Sequence, residues 1–176
     1  MDSLLKYFFE NLNREYHVRE LAKFTKKSPT TISKHLSKLK KDGVLKSEKR
    51  HHHLFFRANT DSPLFRDLKL ADNLHRLRQS GLIDFLTEEF NHPEAILLFG
   101  SYRKAEDLPR SDIDILIITP VKKELDLSRY EKKLGHAVQL FLHSNQSLEK
   151  MKTRNKELLN NFVNGFMIEG YWELFK

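Results

Sequence analysis

The sequence has 176 residues and no cysteine, with 31 Lys or Arg against 24 Asp or Glu and a net charge of +7. The lack of cysteine excludes a disulfide framework and a thiolate metal site, and no stretch approaches the roughly 20 apolar residues that span a bilayer. The N-terminus alternates polar with apolar residues, which is atypical of a secretory signal. We therefore expect a cytoplasmic protein with no membrane partner.

The basic excess is confined to the first third of the chain. Residues 1–60 contain 14 Lys or Arg and 6 Asp or Glu, a balance of +8, whereas the remaining residues contain 17 and 18. A concentrated basic field attracts polyanions, and phosphate contacts dominate affinity for nucleic acids. A basic face that is merely solvated would carry the same charge. The order of predicted helices and strands therefore has to distinguish it from a nucleic-acid-binding surface.

Residues 1–60 predict three helices followed by a hairpin. Apolar residues at helical spacing indicate a first helix over residues 2–12, and a short extended segment at 16–18 precedes a second helix from Arg19 to Lys26. Two strand-like runs, Val44–Ser47 and Leu54–Ala58, flank a polar tip over residues 48–53. Because neighbouring strand residues face opposite sides, the three histidines of the tip are interpreted as solvated rather than metal-binding.

The third helix has a well-marked start and two distinct faces. Ser28 is a typical N-cap and Pro29 a typical first helical residue. One face carries an apolar stripe, and Gly43 marks the end of the helix. The other face carries small hydroxyls and lysines that suit contacts with bases and phosphates in a major groove. That face includes Thr30, Thr31, Ser33, Lys34 and Lys38.

The segment RELAKFTKKSPTTISKHLSKLKKDGVLKSEKRHHHLFFRAN resembles the MarR/ArsR-like winged helix-turn-helix family. Within it, ISKHLSKLKKDGVL is similar to the recognition helix and first wing strand of that family. The resemblance implies a DNA partner contacted by Thr30, Thr31, Ser33, Lys34 and Lys38, with Lys49 and Arg50 on the wing. Some winged helices bind only proteins, and that alternative stays open.

Residues 61–92 are expected to form a helical connector. Ser62 and Pro63 resemble a helix start, and apolar residues at helical spacing continue until an interruption at Ser80 and Gly81. A second amphipathic stretch follows and ends before Pro93. The apolar face of these one or two helices would fit either a homodimer or packing against the second domain, and the sequence does not separate these alternatives.

Two apolar runs of residues 93–176 predict buried strands with polar ends. The run Ala95–Phe99 ends at Gly100 and Ser101, and ten residues separate Ser101 from the acids Asp112 and Asp114 that open the next run. Residues i and i+2 of a strand share one face, so these two carboxylates are expected side by side. Such a pair is expensive to desolvate unless a cation bridges it. Mg²⁺ or Mn²⁺, shared with substrate phosphates, is the expected cofactor.

The segment LLFGSYRKAEDLPRSDIDILII resembles the GS-x10-DxD signature of the DNA polymerase β-like nucleotidyltransferase superfamily, in its minimal nucleotidyltransferase branch. The C-terminal run ELLNNFVNGFMIEGYWELF is also similar to that branch. The resemblance implies that Asp112 and Asp114 are catalytic metal ligands. It also implies that a nucleoside triphosphate is held by Gly100, Ser101, Lys104 and Ser111. Lys104 stands where that family often has Arg.

One position departs from the family pattern. The family has a third carboxylate on the following strand, in a segment resembling LGxxVDL, and here Gln139 stands in its place. Glutamine offers a neutral oxygen and accepts no proton, so the departure predicts nucleotide–Mg²⁺ binding with weak transfer or none. His136 and His143 are considered as substitute bases, and Glu124, Asp126 and Glu131 as other acids near the metals.

The expected fold class is α/β (α+β). It comprises an N-terminal winged helix domain over residues 1–60, a connector over 61–92, and a nucleotidyltransferase-fold domain over 93–176 with a small mixed sheet flanked by helices. Three functions remain open. The first is a DNA-binding, transcriptional-regulator-like protein that binds NTP–Mg²⁺. The second is an active transferase that moves AMP to a protein or small molecule, as antitoxins of the minimal branch do. The third is a pair of protein-interaction modules, which leaves the basic excess unexplained.

Overall fold

The computed structural model describes residues 3–50 and 53–175. It divides into two compact units, one ending at Asp72 and the other beginning at Asn73. Within the described residues, no helix is both long enough and apolar enough to cross a membrane.

The first unit contains helices and a three-stranded antiparallel sheet in the order β1-β3-β2. Its elements are α1 (Leu5–Glu10), β1 (Tyr16–His17), α2 (Val18–Thr25), α3 (Pro29–Lys41), β2 (Leu45–Arg50), β3 (His53–Ala58) and the first part of α4 (Pro63–Ser80). The first helix is shorter than the predicted span of 2–12 because Asn11 already leaves helical geometry, with φ of −143°. The predicted order of three helices and a hairpin is confirmed.

Helix α3 forms where its start signals predict. The Ser28 side chain accepts a hydrogen bond from the Thr31 amide at 3.1 Å, and Pro29 occupies the first turn. Its apolar stripe of Ile32, Leu36 and Leu39 is buried in the core of the first unit. The opposite face is therefore left to solvent.

The hairpin is longer than the sequence predicts. Strands β2 and β3 pair from Leu45–Ala58 to Arg50–His53, so Lys49 and Arg50 lie within a strand and the expected polar tip over 48–53 is wrong. Backbone pairing satisfies the N–H and C=O groups here, and charged side chains are tolerated because β2 is an edge strand. The remaining tip residues, His51 and His52, lie outside the described residues.

The second unit has a mixed four-stranded sheet in the order β6-β5-β4-β7, with helices on both faces. Strand β5 pairs antiparallel with β4 and parallel with β6, and β7 pairs antiparallel with β4. Its further elements are α5 (Leu82–Glu89), β4 (Ala95–Phe99), α6 (Gly100–Lys104), β5 (Ile113–Ile118), α7 (Ser128–Leu134), β6 (Val138–His143), α8 (Asn145–Arg154), α9 (Lys156–Val163) and β7 (Phe166–Gly170).

The central strands of this sheet are continuously apolar because both faces are covered. Ile113, Ile115 and Ile117 pack with apolar residues of α5 and α7. Leu116 and Ile118 pack on the other face with residues of α8 and α9. Residues at even positions of β5 therefore project towards α8 and α9, and the side chain of Asp114 lies on that same face of the sheet.

The segment expected as a connector contains two helices, and the predicted interruption at Ser80 and Gly81 is confirmed. Helix α4 ends at Ser80, and Gly81 adopts φ of +80° before α5 begins. Phe65 of α4 is buried in the core of the first unit, and Leu77 is buried in the core of the second.

Candidate functional site

The polar residues of the second unit that the sequence singles out gather at one edge of the mixed sheet. Strand β4 ends at this edge, whereas β5 and β6 begin there. The pairing aligns Phe99, Asp114 and Gln139 on three adjacent strands. The GS turn, the DxD segment and the position of the missing third acid are therefore neighbours, although up to 39 positions separate them in the sequence.

Gly100 directly follows β4 and fits closely against Asp114. Its φ is +70°, a conformation that residues with a side chain rarely adopt. A Cβ atom at this position would overlap Oδ2 of Asp114 and lie 3.0 Å from its Cγ. Glycine is thus required here for two reasons, its backbone conformation and the adjacent carboxylate.

Asp112 and Asp114 form the acidic part of the site. Asp112 is exposed and immediately precedes β5, and Asp114 is half-buried as the second residue of that strand. Burial, reinforced by the negative charge of Asp112, raises the pKa of Asp114 above its ordinary value. Neither carboxylate forms an ion pair with another described residue, so no described cation compensates the negative charge of the pair.

Gln139 is exposed on β6 and is the lateral neighbour of Asp114. In a parallel pair, residues in register project to the same face of the sheet. The amide of Gln139 therefore lies beside Asp114 on the same face of the sheet, and it is at this position that the sequence resemblance led us to expect a third carboxylate. Among the residues described, no group of three or more His, Cys, Asp or Glu side chains could hold a metal ion.

The alternative bases and acids lie elsewhere or are already engaged. His143 pairs with Ile118 at the opposite end of β6 from Gln139. The Nδ1 atom of His136 lies 2.7 Å from the carbonyl oxygen of Ser111. Glu131 accepts a hydrogen bond from the amide of Val138. Asp126 accepts one from the amide of Ser128. None of these contacts supplies a third acid beside Asp114.

The remaining predicted nucleotide-binding residues border the same edge. Ser101 is half-buried and Lys104 exposed on the short helix α6. The Ser111 hydroxyl accepts a hydrogen bond from the Leu108 amide at 3.0 Å. That contact gives Ser111 a role in shaping the loop between the two motifs.

Sequence reasoning missed a buried link to this loop. The side-chain amide of Asn73 on α4 donates to the carbonyl of Tyr102 and to Oδ1 of Asp107, both at 2.8 Å. Asn73 and Asp107 are almost fully buried. The sequence held one signal for this contact. Asn73 is a polar residue four positions before the buried Leu77, so it lies on the stripe of α4 that faces the core.

In the first unit, the side chains predicted to contact DNA are all exposed. They comprise Thr30, Thr31, Ser33, Lys34 and Lys38 on α3 and Lys49 and Arg50 on β2. Two of them have partners within the protein. The Thr31 hydroxyl lies 2.8 Å from that of Ser28, and Arg50 forms an ion pair with Glu15 and packs over the Phe55 ring.

Comparison with known families finds one match within each of the two compact units. Residues 4–47 match the family described as bacterial regulatory protein, arsR family. Residues 80–163 match the family described as nucleotidyltransferase domain. No curated protein and no solved structure matches the chain. The chain therefore joins an ArsR-family helix-turn-helix domain to a nucleotidyltransferase domain, and the fusion predicted from the sequence motifs is confirmed.

Proposed function

We propose that this chain is a DNA-binding transcriptional regulator whose nucleotidyltransferase domain binds a nucleoside triphosphate with Mg²⁺ and transfers nucleotide weakly or not at all. The observation that carries the proposal is the position of Gln139. A neutral amide lies beside Asp114 where the family has a carboxylate. This domain would then act by binding a nucleotide rather than by catalysing its transfer.

The residues present fit a divalent cation that is shared with a nucleotide. Asp112 and Asp114 offer hard anionic oxygens without a compensating cation among the described residues, and Gln139 offers a neutral oxygen. Mg²⁺ and Mn²⁺ accept such ligands, and Mg²⁺ in particular takes its remaining ligands from water and phosphates. When bound, such a cation would neutralise phosphate charge. Gly100 and Ser101 would hold the phosphates closely because no side chain at Gly100 blocks their approach, and Lys104 would add a positive charge.

The alternative function is active transfer, with AMP attached to a protein or a small-molecule acceptor as in antitoxin-like members of the minimal branch. The observation that favours it is that both DxD acids and the GS turn are retained, with Gly100 packed against Asp114. This alternative requires either a second cation held with only two protein carboxylates or a base supplied by the acceptor.

Incubation of the full chain with each labelled NTP, in the presence of Mg²⁺ or Mn²⁺, tests the nucleotide half of the proposal. Retained but unmodified nucleotide, lost in Asp112→Asn, is the expected result. Covalent transfer that disappears in Asp112→Asn would establish the alternative. Absence of both binding and transfer would contradict the two functions together.

The proposed DNA binding is tested by substitutions in α3, the predicted recognition helix. Lys34→Ala and Lys38→Ala are expected to weaken binding to duplex DNA and to flatten its salt dependence, because each lysine that neutralises a phosphate releases counterions. Unchanged affinity and salt slope in both variants would contradict the assignment of α3 as the recognition helix.

A further inference from the structure

The two peptide groups that flank Asp112 are held by the residues just before β6. Asp112 immediately precedes β5, so the ladder between β5 and β6 reaches only one side of it. On that side the amide of Ile113 donates to the carbonyl of Ala137 at 2.8 Å. On the other side the peptide group carries the carbonyl of Ser111, and its hydrogen bond comes from a side chain. The Nδ1 atom of His136 lies 2.7 Å from that carbonyl oxygen.

The hydrogen bond of His136 has a fixed direction. A carbonyl oxygen only accepts, so Nδ1 carries the proton and donates the hydrogen bond. The protonated ring keeps this donor, and the bond therefore does not depend on the charge of the imidazole. His136 and Ala137 are adjacent in the chain, so the side chain of the first extends by one position the contact that the backbone of the second makes. Asp112 is thus anchored on both sides.

The same imidazole contacts the segment that carries the GS turn. Its ring packs edge-on against Tyr102, with ring centroids 5.5 Å apart and an interplanar angle of 71°. This is a favourable arrangement for two aromatic rings. Tyr102 is fully buried and follows Ser101 directly on α6. One half-buried side chain therefore touches both the GS segment and the residue before Asp112.

The backbone around His136 is itself held in place. Gly135 ends α7, and its amide donates to the carbonyl of Glu131 at 2.7 Å. The carboxylate of Glu131 accepts a hydrogen bond from the amide of Val138 at 2.9 Å. The imidazole consequently projects from a fixed stretch of chain, which is what a side chain needs if it is to orient a metal ligand.

We propose that His136 is a positioning residue for Asp112. Its Nδ1–H holds the peptide group between Ser111 and Asp112, and this fixes the direction in which the Asp112 carboxylate meets a divalent cation shared with Asp114. The inference rests on the cation and nucleotide binding proposed above and adds His136 to the residues on which that binding depends. In this role His136 contacts neither the cation nor the nucleotide and takes up no proton, which separates it from a substitute base.

The test is titration of the full chain with Mn²⁺ alone, followed by the electron paramagnetic resonance signal of the free ion. His136→Phe keeps an aromatic ring beside Tyr102 but removes the donor. It is expected to weaken Mn²⁺ binding by about 10-fold to 100-fold, the usual effect of losing a group that orients a metal ligand. His136→Gln has its amide nitrogen one bond further from the backbone than Nδ1. It is expected to weaken binding likewise, and it replaces the phenylalanine variant if that variant does not fold.

His136→Asn is the conservative variant. The amide nitrogen of asparagine is separated from Cα by the same number of bonds as Nδ1 of histidine, so it can donate to the Ser111 carbonyl. We expect its Mn²⁺ affinity to recover towards that of the wild-type chain, although the ring contact with Tyr102 is lost. A role in packing alone predicts the reverse order, with the phenylalanine variant closer to wild type than the asparagine variant.

His143→Phe is the matched control for the same substitution away from the site. His143 is also half-buried, and its Nδ1 lies 3.0 Å from Oγ of Ser147 at the far end of β6. This variant should bind Mn²⁺ with wild-type affinity. Equal weakening in His143→Phe and His136→Phe would attribute the loss to general destabilisation and would overturn the inference.

Asp112→Asn distinguishes failure of this inference from failure of the proposed cation site. If Asp112→Asn abolishes Mn²⁺ binding, wild-type affinity in His136→Phe, or no recovery in His136→Asn, would overturn the positioning role alone. A wild-type chain that does not bind Mn²⁺, or that binds it no better than Asp112→Asn does, would overturn the proposed cation site and the role of His136 together.

Discussion

Gln139 and Asp114 are paired in register across the parallel strands β6 and β5, so a neutral amide adjoins the more buried acid of the DxD segment. Asp114 carries a desolvation penalty that a bound cation would relieve, as proposed above, but Gln139 adds no further negative charge beside it that could help to hold a second ion. The relationship predicts a site that favours one cation with its nucleotide over the pair of cations that catalysis uses.

Restoring an acid at position 139 should therefore strengthen metal binding. Gln139→Asp is expected to increase the affinity for a second Mn²⁺ by about tenfold or more, because an added negative charge a few ångströms from the ion contributes more than about 1.4 kcal/mol. Calorimetric titration of Mn²⁺ in the presence of nucleotide measures this change, with assay of nucleotide transfer alongside. Gln139→Asn is the uncharged control, and equal metal binding by the two variants would show that residue 139 is not at a ligand position.

Neutralising Asp114 should stabilise the fold when metal is absent. The pKa of this carboxyl is raised by burial and by Asp112, so the unfolded chain releases the proton at a lower pH than the native protein does. Stability is consequently lost as pH rises through that window, and the loss persists at neutral pH. Asp114→Asn is therefore expected to raise the melting temperature measured in EDTA, because it removes the desolvated negative charge and its repulsion by Asp112.

Asp114→Asn should also lose the stabilisation that Mg²⁺ and nucleotide are expected to give to the wild-type chain. Ligands that bind only the native state raise its stability. Thermal melts with and without MgCl₂ and NTP measure both effects. A lower melting temperature for Asp114→Asn in EDTA would contradict the account of an uncompensated carboxylate.

Replacing Gly100 by alanine should disturb both the backbone and Asp114. The left-handed conformation alone costs an L-residue about 1–2 kcal/mol, and the new Cβ would displace the Asp114 carboxylate. Gly135→Ala is a matched control, because Gly135 has φ of +76° but no atom within 4 Å of an added Cβ. Both variants should be destabilised in urea unfolding, but only Gly100→Ala should lose metal-dependent nucleotide binding. Loss of binding in both would attribute the effect to general destabilisation.

Removing the Asn73 side chain should loosen the loop between the GS and DxD motifs. Asn73→Ala deletes donors to Tyr102 and to the buried carboxylate of Asp107, and loss of a buried hydrogen bond typically destabilises by about 1–3 kcal/mol. We also expect weaker nucleotide binding, measured by titration under conditions in which the variant is fully folded. A double-mutant cycle with Asp107→Asn should show coupling between the two positions, and additive effects would contradict a direct link.

His143 should make the second unit sensitive to mild acid. Burial, reinforced by the charge of Lys122, lowers the pKa of this imidazole, so between the native and unfolded pKa values the unfolded chain binds more protons. Stability therefore falls as pH is lowered below about 6.5, the ordinary value for histidine. His143→Gln is expected to reduce this loss between pH 7 and pH 5, measured by chemical unfolding. His75→Gln, at an exposed position of α4, should retain the wild-type dependence.

Local signals accounted for much of the fold. Ser28 and Pro29 predicted the start of α3 correctly because N-capping depends on a few adjacent residues. The apolar runs of β4 and β5 predicted strands buried on both faces. The family signature also pointed to Gln139, whose place beside Asp114 then follows from the strand register.

Long-range contacts could not be predicted in this way. The pairing of Arg50 with Glu15 joins residues 35 positions apart, and the hydrogen bond from Asn73 to Asp107 joins residues 34 positions apart. No local sequence pattern indicates either contact, because each depends on how the fold brings distant segments of the backbone together. The length of the β2–β3 hairpin was missed for a related reason, since charged residues that resemble a turn remain in a strand when the partner strand satisfies their backbone groups.

The contact between Gly100 and Asp114 also restricts how this protein can change during evolution. A side chain acquired at position 100 would need both a smaller residue at position 114 and relief of the left-handed backbone conformation, so position 100 should change among homologues only where position 114 changes too. If the proposed metal binding is lost in a lineage, both residues could then be replaced in succession. A homologue that retains the aspartate should retain the glycine too, and its sequence alone would then report that the site is still under selection.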